Sequence, residues 1–152
     1  MKQYNYCCAL IGIFLIITTG CSNENEMVEQ MRYGEFDIDG NTILVQKRFG
    51  EADKYEFFKE ITDNGTVEKA KEILKHITWE NAQVNMAYPP HYKFHFKGSN
   101  EQSELVFDLW ISPNNDKVEL VMDSEGKYVQ LSKRTSAKLF EIITGIKLSD
   151  IE

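Results

Sequence analysis

Hydrophobic and polar positions alternate most regularly in the C-terminal half of the chain. Tyr92, Phe94 and Phe96 alternate with Lys93, His95 and Lys97. Leu105, Phe107, Leu109 and Ile111 alternate with Val106, Asp108 and Trp110, and Val118, Leu120 and Met122 with Glu119 and Val121. A period of two marks strands with one face on a core. A fourth strand is predicted at Tyr128–Leu131. The links GSNEQS, SPNND and DSEG are turn-rich, so these strands form an antiparallel meander. With residues 98–103 as the first loop, Phe96 faces Leu105, Phe94 faces Phe107 and Tyr92 faces Leu109. Lys97 then faces Glu104, and Lys93 faces Asp108, on the other side. A slip of one residue destroys both patterns, so the register is specified. The next hairpins put Ile111 opposite Val118 and Met122 opposite Lys127.

Upstream, the turn signal Asp39-Gly40-Asn41 separates short strands near 36–38 and 42–48. Residues 55–61 read as a third, shorter strand, although a helix also fits there. Asp63-Asn64-Gly65-Thr66 breaks the chain and supplies caps for a helix to about His76. Its apolar face is Val67, Ala70, Ile73, Leu74 and Ile77. Ala82, Val84 and Met86 alternate with Gln83 and Asn85 as a further strand, interrupted by Pro89-Pro90. A last helix over 133–144 has Ser132 as N-cap, Ala137, Leu139, Phe140 and Ile143 as its buried stripe, and Gly145 at its end. Helices are too few for a doubly wound sheet. The order predicts an α+β domain over 36–148: one antiparallel meander sheet with two helices packed on its apolar face.

The N-terminus has a different pattern. Lys2 precedes an apolar run of eleven residues, Cys7 to Ile17. A membrane-spanning helix needs roughly 20. The run therefore reads as the core of a signal peptide over residues 1–20. It ends in Thr18-Thr19-Gly20-Cys21, small residues before a cysteine, as processing of a bacterial lipoprotein requires. A residue such as Leu is usual where Thr18 stands. Cys21 is the expected lipidation site, carrying palmitate-type chains. The polar stretch that follows suits a tether over 21–35. One acyl chain holds a protein only marginally, and two or three hold it firmly, at ~0.8 kcal/mol per buried methylene. The expected location is the extracytoplasmic face of the cell membrane, anchored by lipid on Cys21.

Cysteine use and charge follow from this. Of the three cysteines, Cys7 and Cys8 leave with the signal and Cys21 is blocked as a thioether. The domain is then without thiol or disulfide, which excludes thiol chemistry and cysteine-ligated metal. Cleavage removes one lysine and no acid, taking the net charge from −7 to −8. Such a surface does not suit nucleic acid, because phosphate needs a basic partner.

The stretches ILKHITWENAQVNMAYPPHYKFHF, LWISPNNDKVEL and YVQLSKRTSAKLFEIITG resemble the YhfM-like domain, over roughly Thr66 to Gly145. The resemblance implies a small lipoprotein of low-GC Gram-positive bacteria. It brings no activity, cofactor or catalytic residue with it.

Candidate chemistry is sparse. His91 and His95, four apart on a strand, are roughly 13 Å apart at ~3.3 Å per residue, too far to share a metal. With His76 they read as surface histidines. Ser99, Ser103, Ser112, Ser124 and Ser132 fall in turns or caps, and no G-x-S-x-G elbow occurs. Asp37 and Asp39 resemble a fragment of a calcium loop, but Arg48 stands where its closing Glu belongs. No catalytic residue, metal or cofactor is therefore expected. One apolar group is out of place: Val106, Trp110, Val121 and Tyr128 fall on the polar face of the sheet. Either the N-terminal strands or the tether cover them, or they bind a protein or cell-envelope partner. The aromatic loop YPPHY extends that group, or is a rigid turn. The reading is a membrane-anchored, non-enzymatic binding domain. The alternative is a small envelope hydrolase using carboxylates that spacing does not single out.

Overall fold

The structure, a computed structural model, describes residues 38–98 and 105–151. The signal peptide, Cys21, the tether, Asp37 and the pair Lys97–Glu104 lie wholly or partly outside those residues.

Strands β1 (Thr42–Arg48) and β2 (Tyr55–Ile61) are followed by helix α1 (Asn64–His76). Strands β3 (Glu80–Asn81), β4 (Tyr92–Lys97), β5 (Val106–Ile111), β6 (Val118–Met122) and β7 (Lys127–Gln130) precede helix α2 (Lys133–Thr144). The seven strands form one sheet in the order β2-β1-β4-β5-β6-β7-β3. Every neighbouring pair is antiparallel. This is the expected α+β fold. Tyr92 pairs with Leu109, Lys93 with Asp108 and Phe94 with Phe107. Ile111 pairs with Val118, and Met122 with Lys127, so the meander has the register its alternation dictates.

The core lies between the sheet and the two helices. Phe94 and Phe107 stack at 5.0 Å, and Tyr92 meets Phe140 of α2 edge-on at 5.7 Å. Val67, Ala70 and Leu74 bury the face of α1, and Asp63 caps it by accepting from the Thr66 amide. Ser132 caps α2 in the same way, and Gly145 ends it with a left-handed backbone. Gly40 fixes the start of β1. Its φ is +115°, and a Cβ there would sit 2.6 Å from the carbonyl oxygen of Lys97. Among the described residues no helix is long and apolar enough to cross a membrane.

Three local expectations need correction. Residues 82–86 are not a strand. The ladder stops at Asn81, and only Glu80 and Asn81 pair with β7. The alternation survives as one-sided burial: Ala82, Val84 and Met86 are half-buried while Gln83 and Asn85 are exposed. Periodicity reports which side is covered, not whether the backbone is paired. Next, Ala137 is exposed, and Ser136 takes its place in the buried face with Leu139, Phe140 and Ile143. Helical spacing from Ser136 is the better fit, and its hydroxyl is satisfied by accepting from the Val118 amide at 2.9 Å. Finally, Ile38 is buried but lies outside any strand; the rest of the expected 36–38 strand falls outside the described residues.

Candidate functional site

One face of the sheet lies under the helices. Part of the other is crossed by a strap, residues 82–90, which leaves the β3 edge and returns to the start of β4. The strap begins with the Ala82 amide donating to the carbonyl of Gly126. At its far end three side chains from the sheet donate to successive strap carbonyls. Trp110 Nε1 reaches Tyr88 O at 2.7 Å, Arg48 Nη1 reaches Pro89 O at 2.7 Å, and the Tyr55 hydroxyl reaches Pro90 O at 3.0 Å. Pro89 and Pro90 have no amide hydrogen, so their carbonyls are their only backbone hydrogen-bonding groups. His91 locks the end. Its amide donates to Leu109 O at 2.8 Å, and its ring Nδ1 accepts from the Ile111 amide at 3.1 Å.

Between strap and sheet is an open cleft of about 350 Å³. Val84, Met86 and Tyr88 line its strap side, and Asp108, Trp110 and Val121 its sheet side. Lys93, Asp53 and Asp123 complete the lining. The lining is mixed: aromatic and aliphatic side chains from strap and sheet stand beside three carboxylates and one ammonium, so the cleft combines apolar surface with convergent polar groups. Lys93 Nζ lies 3.5 Å from Asp108 Oδ1 and 4.7 Å from the centre of the Tyr55 ring. Asp108 Oδ1 is buried and has no hydrogen-bond partner; at 3.5 Å the ammonium gives an ion pair only. Burial pushes the Asp108 carboxyl above its ordinary value, Lys93 opposes the shift, and Asp123 and Asp53 add to it. Burial and Asp53 likewise raise the Tyr55 phenol, so it stays a donor to the strap. His91 moves the other way: burial, then the Arg48 charge, hold it below 6.5 and therefore neutral at pH 7.

The four residues singled out by their pattern separate. Trp110 and Val121 line the cleft, and Val121 is 4% exposed. Tyr128 pairs with Val121 across β6 and β7, is half-buried, and donates to Glu119 at 3.2 Å. Val106 stands apart at the other end of β5, 40% exposed. Trp110 and Val121 face the strap across the cleft, and β1 and β2 lie in the sheet beside β4 rather than over them; the tether lies outside the described residues.

Sequence reasoning missed Asp108, Arg48, Tyr55 and His91. Asp108 was legible as a cross-strand partner of Lys93, but its flanking by Val106 and Trp110 on the same face already signalled burial. His91, expected at the surface, is half-buried, held against β5 by its bonds to Leu109 and Ile111. His76, as expected, is exposed. Ser112 and Ser132 serve a turn and a cap. Among the described residues no group of three His, Cys, Asp or Glu side chains is placed to hold a metal. A second depression, about 480 Å³ around Asp39, Glu60, Lys71 and Lys97, has no large apolar side chain in its lining.

Comparison with known proteins gives a family and a distant fold likeness. A family model described as YhfM protein matches residues 39–149. Among solved structures, a thioesterase-like protein from Clostridium sporogenes is similar, at 14% identity and a TM-score of 0.49, covering 76% of this chain and 100% of that one. No curated protein matches the chain.

Proposed function

The chain belongs to the YhfM protein family, and on that premise we propose that it is a membrane-tethered lipoprotein whose domain binds a cell-envelope partner without catalysing a reaction. Lipid on Cys21 holds it at the extracytoplasmic face. This part rests on the order of a charged start, a short apolar run and small residues before Cys21. On this reading the cleaved chain, at −8, is repelled by anionic lipid, so its retention falls to the acyl chains.

The binding reading rests on the cleft beneath the strap. Its floor offers the indole of Trp110, and Tyr88, 74% exposed, belongs to its strap side. Aromatic side chains of this kind supply much of the binding energy where partners meet. The test is photo-crosslinking on the full, membrane-inserted chain. A photoreactive residue in place of Tyr88 should capture an envelope component that one in place of Lys138, exposed on α2, does not. Equal capture at both positions, or none at Tyr88, removes the cleft from the reading.

A second reading, a small envelope hydrolase, is favoured by one observation. Asp108 is a buried carboxyl with a raised pKa beside a lysine, the environment of a general acid. Under the binding reading Asp108→Asn leaves crosslinking at Tyr88 in place, and no product is released from envelope material by the wild-type protein. Release that Asp108→Asn abolishes establishes the hydrolase.

A further inference from the structure

We propose that His91 is a proton-operated latch on the strap: neutral, it helps hold residues 82–90 closed over the cleft, and protonated, it weakens that hold. The observation is a hydrogen bond with a fixed direction. The Ile111 amide donates to His91 Nδ1 at 3.1 Å, so that nitrogen must carry a lone pair and the proton of the neutral ring sits on Nε2. Protonation puts a hydrogen on Nδ1, and two donors then point at each other. The bond is lost and the contact becomes repulsive.

The groups around His91 make this the weak point of the strap. From β1, Arg48 faces it with a permanent positive charge that opposes a second one. From β5, the facing group is the Ile111 amide, which cannot titrate. From β2, Tyr55 reaches the adjoining Pro90 carbonyl and remains protonated. Lys93, two residues along β4, is paired with Asp108. The other strap bonds, from Arg48, Tyr55 and Trp110, run to carbonyl oxygens and do not change with pH in the acid range. Asp108 titrates at the cleft too, but acid neutralises it, removing charge from the floor rather than adding it.

The sign follows from linkage. A histidine held below its ordinary value in the closed form binds protons better once the strap opens, so acid favours opening. Closure is complete above 6.5, the ordinary value, and is lost as pH falls through the value in the closed form. The consequence for the cleft rests on the binding reading above: a partner held under the strap is exchanged in an acidified envelope and retained at neutral pH.

The latch is tested without any partner, by hydrogen exchange on the full chain in detergent micelles. Mass spectrometry with fragmentation reads the hydrogen-bonded amides that tie the strap to the sheet, Ala82, His91 and Ile111, as protection factors that divide out the intrinsic effect of pH. In the wild type, protection of these amides should fall roughly fivefold below pH 6.5, the ratio that one hydrogen bond of ordinary strength represents. His91→Asn keeps an acceptor at a similar distance from the backbone but cannot be protonated there; it should stay closed at every pH tested. His91→Ala should be open to the wild type's acid level at all pH values. Protection that is flat in the wild type overturns the latch, as does the same acid loss in His91→Asn, which would assign the proton to another group. Absence of crosslinking at Tyr88 with an intact pH response refutes the binding reading and leaves the latch standing.

Discussion

Leu109 and Trp110 are neighbours in sequence, yet the strand sends them to opposite faces. Leu109 is 0% exposed, between Tyr92 and Leu120 in the ladder. Truncation to Ala removes three buried carbons from a packed layer and leaves a cavity that β4 and β6 hold open. The cost should be about 3–4 kcal/mol, within the range of buried leucine truncations. Trp110 faces the strap. Trp110→Ala loses one hydrogen bond to Tyr88 O, about 1 kcal/mol. Part of the indole's apolar burial goes with it, for a total of about 1–2 kcal/mol. Urea denaturation followed by far-ultraviolet circular dichroism separates the two. With a slope near 1.5 kcal/mol/M, Leu109→Ala should move the midpoint down by roughly 2 M and Trp110→Ala by roughly 1 M. Trp110→Ala should also speed exchange of the hydrogen-bonded amides at the ends of the strap, Ala82 and His91, and Leu109→Ala should not do so selectively. Equal midpoint losses would mean that the strap is an integral layer of the core, and the argument for a cleft at Trp110 would fail.

Other substitutions probe the frame around the site. Gly40→Ala must place a methyl against the Lys97 carbonyl with φ at +115°, and should cost about 2 kcal/mol or more in thermal unfolding. Ser136→Ala leaves the buried Val118 amide without its acceptor and should cost about 1–3 kcal/mol, whereas Ala137→Ser, on the exposed side, should be neutral in the same assay. Asp108 has a folded-state pKa above 3.8, so it weakens the fold as pH rises from 3.8 through that raised value. Asp108→Asn should therefore gain stability over wild type at pH 7, and the gain should vanish below pH 3.8; a constant difference across pH would refute the burial argument.

Much of the fold was legible because burial on one face imposes a period of two. The β4–β7 meander, its register and the apolar side of α1 are direct readings of that constraint. The failures came where the constraint was absent or shared. Strap and strand give the same alternation, since both cover one side, so Val84 and Met86 could not reveal that their backbone is unpaired. The buried stripe of the last helix takes in Ala137 when apolar residues alone are counted, whereas the helical spacing favours Ser136 and a hydrogen bond makes its burial cheap. The site was half legible. Trp110 and Val121 announced themselves as apolar residues on a polar face. Tyr55, Arg48 and His91 could not, because what joins them is a strap crossing strands far apart in sequence. Val106 belonged to the same pattern but lies about four residues along β5 from Trp110, roughly 13 Å at ~3.3 Å per residue, beyond the strap's reach.

A domain that binds at a membrane must first be held there, and the chemistry at Cys21 decides that claim. Mass spectrometry of the N-terminal peptide, taken from the protein extracted from membranes, measures it directly. The account predicts a chain that begins at Cys21 with an acylated glyceryl group on its sulfur, and a Cys21→Ala variant without lipid. An unmodified Cys21, or a mature chain that retains residues 1–20, would contradict it.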